Sequence, residues 1–128
     1  MNEKLNAIIT VEDFGPGVSE KEKELLKGSI EILLLSLLAQ EDCYGYDMTK
    51  KLRVLSDDAY HMNEGTLYPA LKRLEKKECV TSYWSDEKTG TRRKYYSITK
   101  AGRKELNHKL GSWKQINQLI ERTLGGQV

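Results

Sequence analysis

From Leu26 onward the apolar positions Leu26, Ile30, Leu33, Leu34, Leu37 and Leu38 recur three and four residues apart, the repeat of one helical face. Between Ile32 and Ala39 only Ser36 interrupts the apolar residues, so the stripe broadens until the helix is apolar nearly all round, as a central core helix is. Ser19, followed three positions later by Glu22, has the form of a capping box, and the pattern predicts a helix from there to about Gln40. After Glu41 and Asp42 a shorter helix sets Tyr44, Met48, Leu52 and Leu55 on one side and Lys50, Lys51 and Arg53 on the other. A third, starting near Asn63, aligns Leu67, Ala70, Leu71 and Leu74. Its opposite face carries Gly65, Tyr68, Lys72 and Lys76, flanked by Thr66 and Arg73.

The period then changes. Residues 80–85 and 92–99 are rich in β-branched and aromatic side chains and are joined by a polar loop, which predicts a hairpin. Thr99 can cap a final helix of about 25 residues, roughly 37 Å long, with the stripe Leu106, Leu110, Trp113, Ile116 or Asn117, Ile120 and Leu124. A domain of this size does not cover so long a stripe by itself, and a second copy of the chain is the simplest partner. Residues 1–18 contain the turn-rich Gly15-Pro16-Gly17 and read as an arm whose Leu5, Ile8, Ile9, Val11 and Phe14 pack on the body or on a partner. The expected fold is mainly α with a small β-hairpin, an α+β class. It divides into the arm at 1–18, a winged helix-turn-helix at 19–99 and a C-terminal dimerisation helix at 100–128.

Composition narrows the function. With 31% charged and 38% hydrophobic residues in 128, the chain reads as one soluble domain. Its longest apolar run falls well short of the roughly 20 residues that cross a bilayer, and Met1 to Leu5 shows no secretion signal, so the expected location is cytoplasmic. Cys43 and Cys79 are far apart and, like His61 and His108, have no partner at metal-ligand spacing, so neither a metal nor another cofactor is expected. With no Gly-rich phosphate loop and no plausible triad, an enzyme is not expected.

The net charge of +2 hides an uneven distribution. Residues 72–109 hold twelve Lys or Arg against five acids, whereas residues 1–24 hold three against six. Such asymmetry points to a polyanionic partner. The third helix would present Asn63, Gly65, Thr66, Tyr68, Lys72 and Arg73 to a major groove, Gly65 allowing close approach and the others supplying hydrogen bonds and charge. Lys88, Arg92, Arg93 and Lys94 cluster around Gly90 at a turn that can reach the adjacent minor groove. Tyr95, Tyr96 and Ile98 are expected to pack the hairpin on the core. Duplex DNA is therefore the expected partner. A winged-helix protein-interaction module without specific DNA binding is the alternative.

Residues 63–75 (NEGTLYPALKRLE), Ser82-Tyr83-Trp84, residues 90–99 (GTRRKYYSIT) and Tyr44-Gly45-Tyr46 together resemble the PadR family of bacterial transcriptional regulators. The resemblance covers about residues 25–124. It implies a dimeric winged helix-turn-helix, usually a repressor of a palindromic operator, whose last helix exchanges contacts with its partner. Within the family the chain is most similar to short, drug-responsive members, which implies that Trp113 meets its symmetry mate and stacks planar aromatic or cationic effectors, with Glu121 as a partner for their charge. The dimer contacts implied are Leu106, Leu110, Trp113, Asn117, Ile120 and Leu124. The arm is longer than such a member needs.

Overall fold

A computed structural model describes residues 20–126, with side chains from residue 29 onward. The expected arm, the Ser19–Glu22 capping box and the side chain of Leu26 lie outside the described residues. The chain orders as α1 (Glu20–Gln40), β1 (Cys43–Tyr44), α2 (Gly45–Leu55), α3 (Glu64–Lys76), β2 (Val80–Asp86), β3 (Arg92–Ile98) and α4 (Lys100–Thr123). Helix α1 is the centre of the core, with Ile30, Leu34, Leu35, Leu37 and Leu38 all buried; adjacent Leu34 and Leu35 bury on different sides, which explains the all-round apolar pattern. Met48 and Leu52 of α2, and Leu67, Ala70, Leu71 and Leu74 of α3, close over it. Asn63 caps α3 by accepting the amide of Thr66 at 3.0 Å. Thr99 caps α4 in the same way through Gly102, at 2.9 Å.

Two features depart from the pattern. Leu55, expected beside Met48 and Leu52, is 75% exposed. Helix α2 stops there, and Asp57 and Asp58, both at positive φ, turn the chain away before Leu55 can be covered. Tyr44, expected on α2, instead lies in β1 and precedes that helix. The sheet thus has three antiparallel strands in the order β1-β3-β2, with Cys43 opposite Tyr96 and Tyr44 opposite Tyr95. A two-residue strand leaves too short a trace to show in the sequence period. In the hairpin, Val80 pairs with Ile98 at the base and Asp86 with Arg92 near the tip.

One buried charge joins the helices. Glu31 of α1 is only 6% exposed, and its carboxylate receives Lys77 at 3.1 Å, Arg73 at 3.6 Å and Lys109 at 3.8 Å. A buried carboxylate needs such partners to offset its lost hydration. The cluster ties α1 to the C-terminal end of α3 and to α4, so it sets how α3 lies on the core. Nothing in the apolar run around Glu31 signals this. Replacement Glu31→Gln is expected to lower the unfolding free energy by about 1.5–3 kcal/mol, the worth of hydrogen bonds to a charged group. Lys77→Ala, at a half-exposed partner, should cost less than about 1 kcal/mol. Urea unfolding at constant slope measures both, and an unchanged midpoint for Glu31→Gln would contradict the role given to the cluster.

Candidate nucleic-acid interface

The face of α3 turned away from the core carries exposed Asn63, Gly65 and Lys72 with half-buried Thr66. Tyr68 projects from its middle and remains 44% exposed. Its ring lies over the backbone of Gly45, the first residue of α2, where any Cβ would run into the Tyr68 hydroxyl and ring. Glycine at 45 is what lets Tyr68 settle between α2 and the sheet. Arg73 behaves differently from the rest of the predicted face: its Nε is drawn to Glu31, so it serves the core cluster as well as the surface.

The hairpin has two chemically distinct sides, fixed by strand alternation. Tyr96 is buried in the core, so Lys94 and Arg92, two and four residues earlier on β3, share its side, together with Ser82, Trp84 and Asp86 of β2. This side meets α3, where Ser82 Oγ donates to Glu75 at 3.1 Å. The Arg92 guanidinium stands 5.2 Å from the centre of the Trp84 ring, and the Lys94 ammonium 5.7 Å from that of Tyr96. The other side holds Arg93, Tyr95 and Tyr83. There Arg93 packs 4.4 Å over the Tyr44 ring, and Tyr95 stacks on Tyr83 at 5.8 Å. Of the three aromatic and aliphatic residues expected to seat the hairpin, Tyr96 is buried and Ile98 packs against the core, while Tyr95 faces the opposite way.

Hydrogen bonds stiffen that outer side. The Tyr83 hydroxyl donates to Asp42 at 2.6 Å and that of Tyr95 to Glu87 at 2.5 Å. Donation to Glu87 favours the neutral phenol and pushes the Tyr95 pKa up to about 12; donation to Asp42 likewise raises that of Tyr83. At the tip Glu87 and Thr91 close the turn at 2.7 Å, Gly90 adopts φ +85, and Lys88 is exposed.

Between α3 and the inner side of the hairpin runs an open groove of about 470 Å³, bordered by Tyr46, Tyr68, Trp84, Tyr96, Lys94 and Arg93. Among the described residues no carboxylate lines it. An aromatic floor with cations and no acid suits a phosphate-bearing polymer. The structure thus brings Tyr68, Lys94 and Arg93 to one groove, Arg93 from its seat over Tyr44 at the groove's edge, whereas Lys72 and Arg92 are exposed outside its lining and Arg73 leans toward the core. The sequence singled out Gly45, Tyr46 and Trp84 only as parts of motifs that resemble a family and did not place them in the nucleic-acid surface. For Trp84 the signal was present, since Val80, Ser82 and Trp84 alternate along one strand.

Helix α4 divides its expected stripe. Leu106 and Asn117 are buried within the chain, Trp113 is half-buried, and Leu110, Ile120 and Leu124 are exposed. Of the alternatives Ile116 and Asn117 the exposed one is Ile116, and Leu119 adds an exposed apolar side chain that the stripe did not include. The buried Asn117 Oδ1 accepts no hydrogen bond. Trp113 and Glu121 stand eight residues apart, roughly 12 Å along the helix, and do not form one site within a single chain.

Both cysteines are free and buried, and burial raises both thiol pKa values. Glu41, Cys43 and Asp47 approach one another closely enough to suggest a metal site. Lys51 already supplies the cation, with its ammonium 2.8 Å from Glu41, 3.2 Å from Asp47 and 3.4 Å from the Cys43 sulfur.

Residues 34–108 match the model of the transcriptional regulator PadR-like family. A PadR family transcription regulator from Clostridium difficile is 42% identical, with a TM-score of 0.66 over 74% of this chain and 97% of that one. A transcriptional regulator from Clostridium thermocellum is 37% identical, with a TM-score of 0.70 over 77% of this chain and 96% of that one. The transcriptional regulator Rv3488 of Mycobacterium tuberculosis is 29% identical over 107 residues, 82% of this chain and 92% of that protein. The family match includes α2, α3 and the whole hairpin but ends before Trp113.

The contact between Gly45 and Tyr68 leads to a structural expectation. In Gly45→Ala the added methyl should swing the Tyr68 ring off α2, because the clash falls on the far end of a mobile side chain. Stability should change by less than about 1 kcal/mol, since alanine also favours the helix. Ring resonances of Tyr68 in an NMR spectrum report the displacement; unshifted resonances would contradict the contact.

Proposed function

This chain belongs to the PadR-like family of transcriptional regulators, and on that premise we propose that it is a cytoplasmic, DNA-binding repressor that holds a palindromic operator as a homodimer. Members of this family are regulators of transcription, not enzymes. The observation that carries the DNA-binding reading is the shared inner side of α3 and the hairpin. Tyr68 borders the same open groove as Trp84, Lys94 and Arg93, whose lining carries no acid among the described residues, and exposed Lys72 and Arg92 extend the positive charge beyond it along α3 and β3. In this reading α3 enters the major groove, with Asn63, Gly65 and Thr66 at its leading end, and the hairpin with Lys88 and Gly90 at its tip follows the backbone to the adjacent minor groove.

The exposed Ile116, Leu119, Ile120 and Leu124 support dimerisation through α4, because a soluble chain leaves so much contiguous apolar surface uncovered only where a partner covers it. Two copies related by a twofold axis would present their α3 helices to half-sites about one helical turn apart. Half-buried Trp113 supports an effector site at that dimer centre for planar aromatic or cationic compounds, with Glu121 of the other copy as counter-charge. No helix among the described residues is long and apolar enough to cross a membrane.

Selection of duplexes from a random pool by the full-length protein, followed by titration at several salt concentrations, tests this reading. The expected product is an inverted repeat bound with a steep salt dependence. Lys72→Ala should weaken all duplexes about equally and reduce the slope of log K against log salt by about 2, one phosphate contact from each protomer. Failure to enrich any duplex, with a stable complex to another protein instead, would favour the interaction-module reading.

A further inference from the structure

The two neighbouring arginines of the hairpin are not equivalent, and Trp84 accounts for the difference. Strand alternation puts Arg92 on the face of β3 that carries Tyr96 and Lys94, and Arg93 on the opposite face, from which its guanidinium reaches over Tyr44 to the edge of the groove. Arg93 is half-buried and its guanidinium is held over Tyr44, whose own ring meets Tyr95 edge-on at 5.4 Å. It fastens β1 to the edge of β3. Arg92 is exposed. Its acidic neighbour, Asp86, lies at 3.9 Å and is itself exposed, a weak restraint. The Trp84 ring provides the other restraint, standing 5.2 Å beneath the guanidinium.

Trp84 is itself 56% exposed on the groove side, and the core is complete without it: Cys43, Val80, Tyr96 and Leu74 close the sheet against α3. A large aromatic in this position leaves a planar guanidinium fewer orientations and keeps its edge free to donate hydrogen bonds. A preordered arginine at the hairpin tip suits the floor of a narrow minor groove, where A·T pairs offer only acceptors and G·C pairs interpose the guanine amino group.

We infer that Trp84 is a positioning residue that preorders Arg92 for minor-groove readout of A·T pairs flanking each half-site, and that Arg93 holds the hairpin together without reading DNA. This rests on the DNA-binding reading above and adds to it a flank preference and the residue responsible for it.

The test uses the selected duplex in three forms, with the flanking A·T pairs retained, replaced by G·C, or replaced by inosine·C, which lacks the minor-groove amino group while changing the major groove. The full-length protein should bind the A·T and inosine·C forms alike and the G·C form roughly five- to tenfold more weakly. In Trp84→Leu that penalty should fall below about twofold, and Trp84→Phe, which keeps an aromatic face, should restore most of it. Arg93→Gln should retain the full penalty while lowering the melting temperature. Circular dichroism melts establish that each variant is folded; a merely structural role for Trp84 would weaken all three duplexes equally. An undiminished G·C penalty in Trp84→Leu, its loss in Arg93→Gln, or inosine·C behaving like G·C overturns the inference. So does a parent protein indifferent to the flanks, which leaves the DNA-binding reading standing. If no duplex is selected at all, both fall.

Discussion

The burial of Tyr96 fixes the orientation of the whole hairpin. Successive side chains of a strand point to opposite faces, so once Tyr96 is committed to the core, Lys94 and Arg92 must lie on the side that faces α3, and Arg93 must not. A slip of one residue in the pairing would exchange the two arginines and turn Trp84 away from the groove. Pairing of Cys43 with Tyr96 and of Ser82 with the same residue locks the register from both neighbouring strands. Surface chemistry at the tip is thus determined by packing at the base.

The second requirement is that α3 lie at a fixed angle to this sheet. Glu31 draws Arg73 and Lys77, at the C-terminal end of α3, and Lys109 of α4 onto one buried carboxylate of α1. Nearer the middle of α3 the absence of a side chain at Gly45 lets Tyr68 rest on the start of α2. The helix is therefore held at two points along its length while its outward face stays open. Arg73 is partly given over to this support, so its charge contributes less to the open face than its sequence position suggests.

Much of this was legible in the sequence. The three helical repeats, the change of period at the hairpin, the start of α3 near Asn63, the cap at Thr99 and the exposed face of α3 all emerge from local spacing, because each depends on residues a few positions apart. What escaped depends on contacts between distant segments. Strand β1 is two residues long and exists only because β3 lies beside it. Glu31 sits in an apolar run and acquires its role from cations 42, 46 and 78 positions away. Leu55 satisfied the helical repeat yet lies exposed, since a period describes a face and does not show whether anything covers it. The same limit applies to α4, where the chain itself buries Leu106 and Asn117 while Ile116 and Leu119 are left uncovered.

The central claim is that the inner side of the hairpin and the outer face of α3 form one surface for a double helix. Tyrosine and tryptophan rings stand on both faces of the sheet, so their NMR resonances discriminate the two sides directly. Addition of a selected duplex to the full-length protein should shift or broaden the ring signals of Tyr46, Tyr68 and Trp84 and leave those of Tyr83 and Tyr95 in place. Perturbation of Tyr83 and Tyr95 with Tyr68 and Trp84 unmoved would put the nucleic acid on the wrong face and contradict the account.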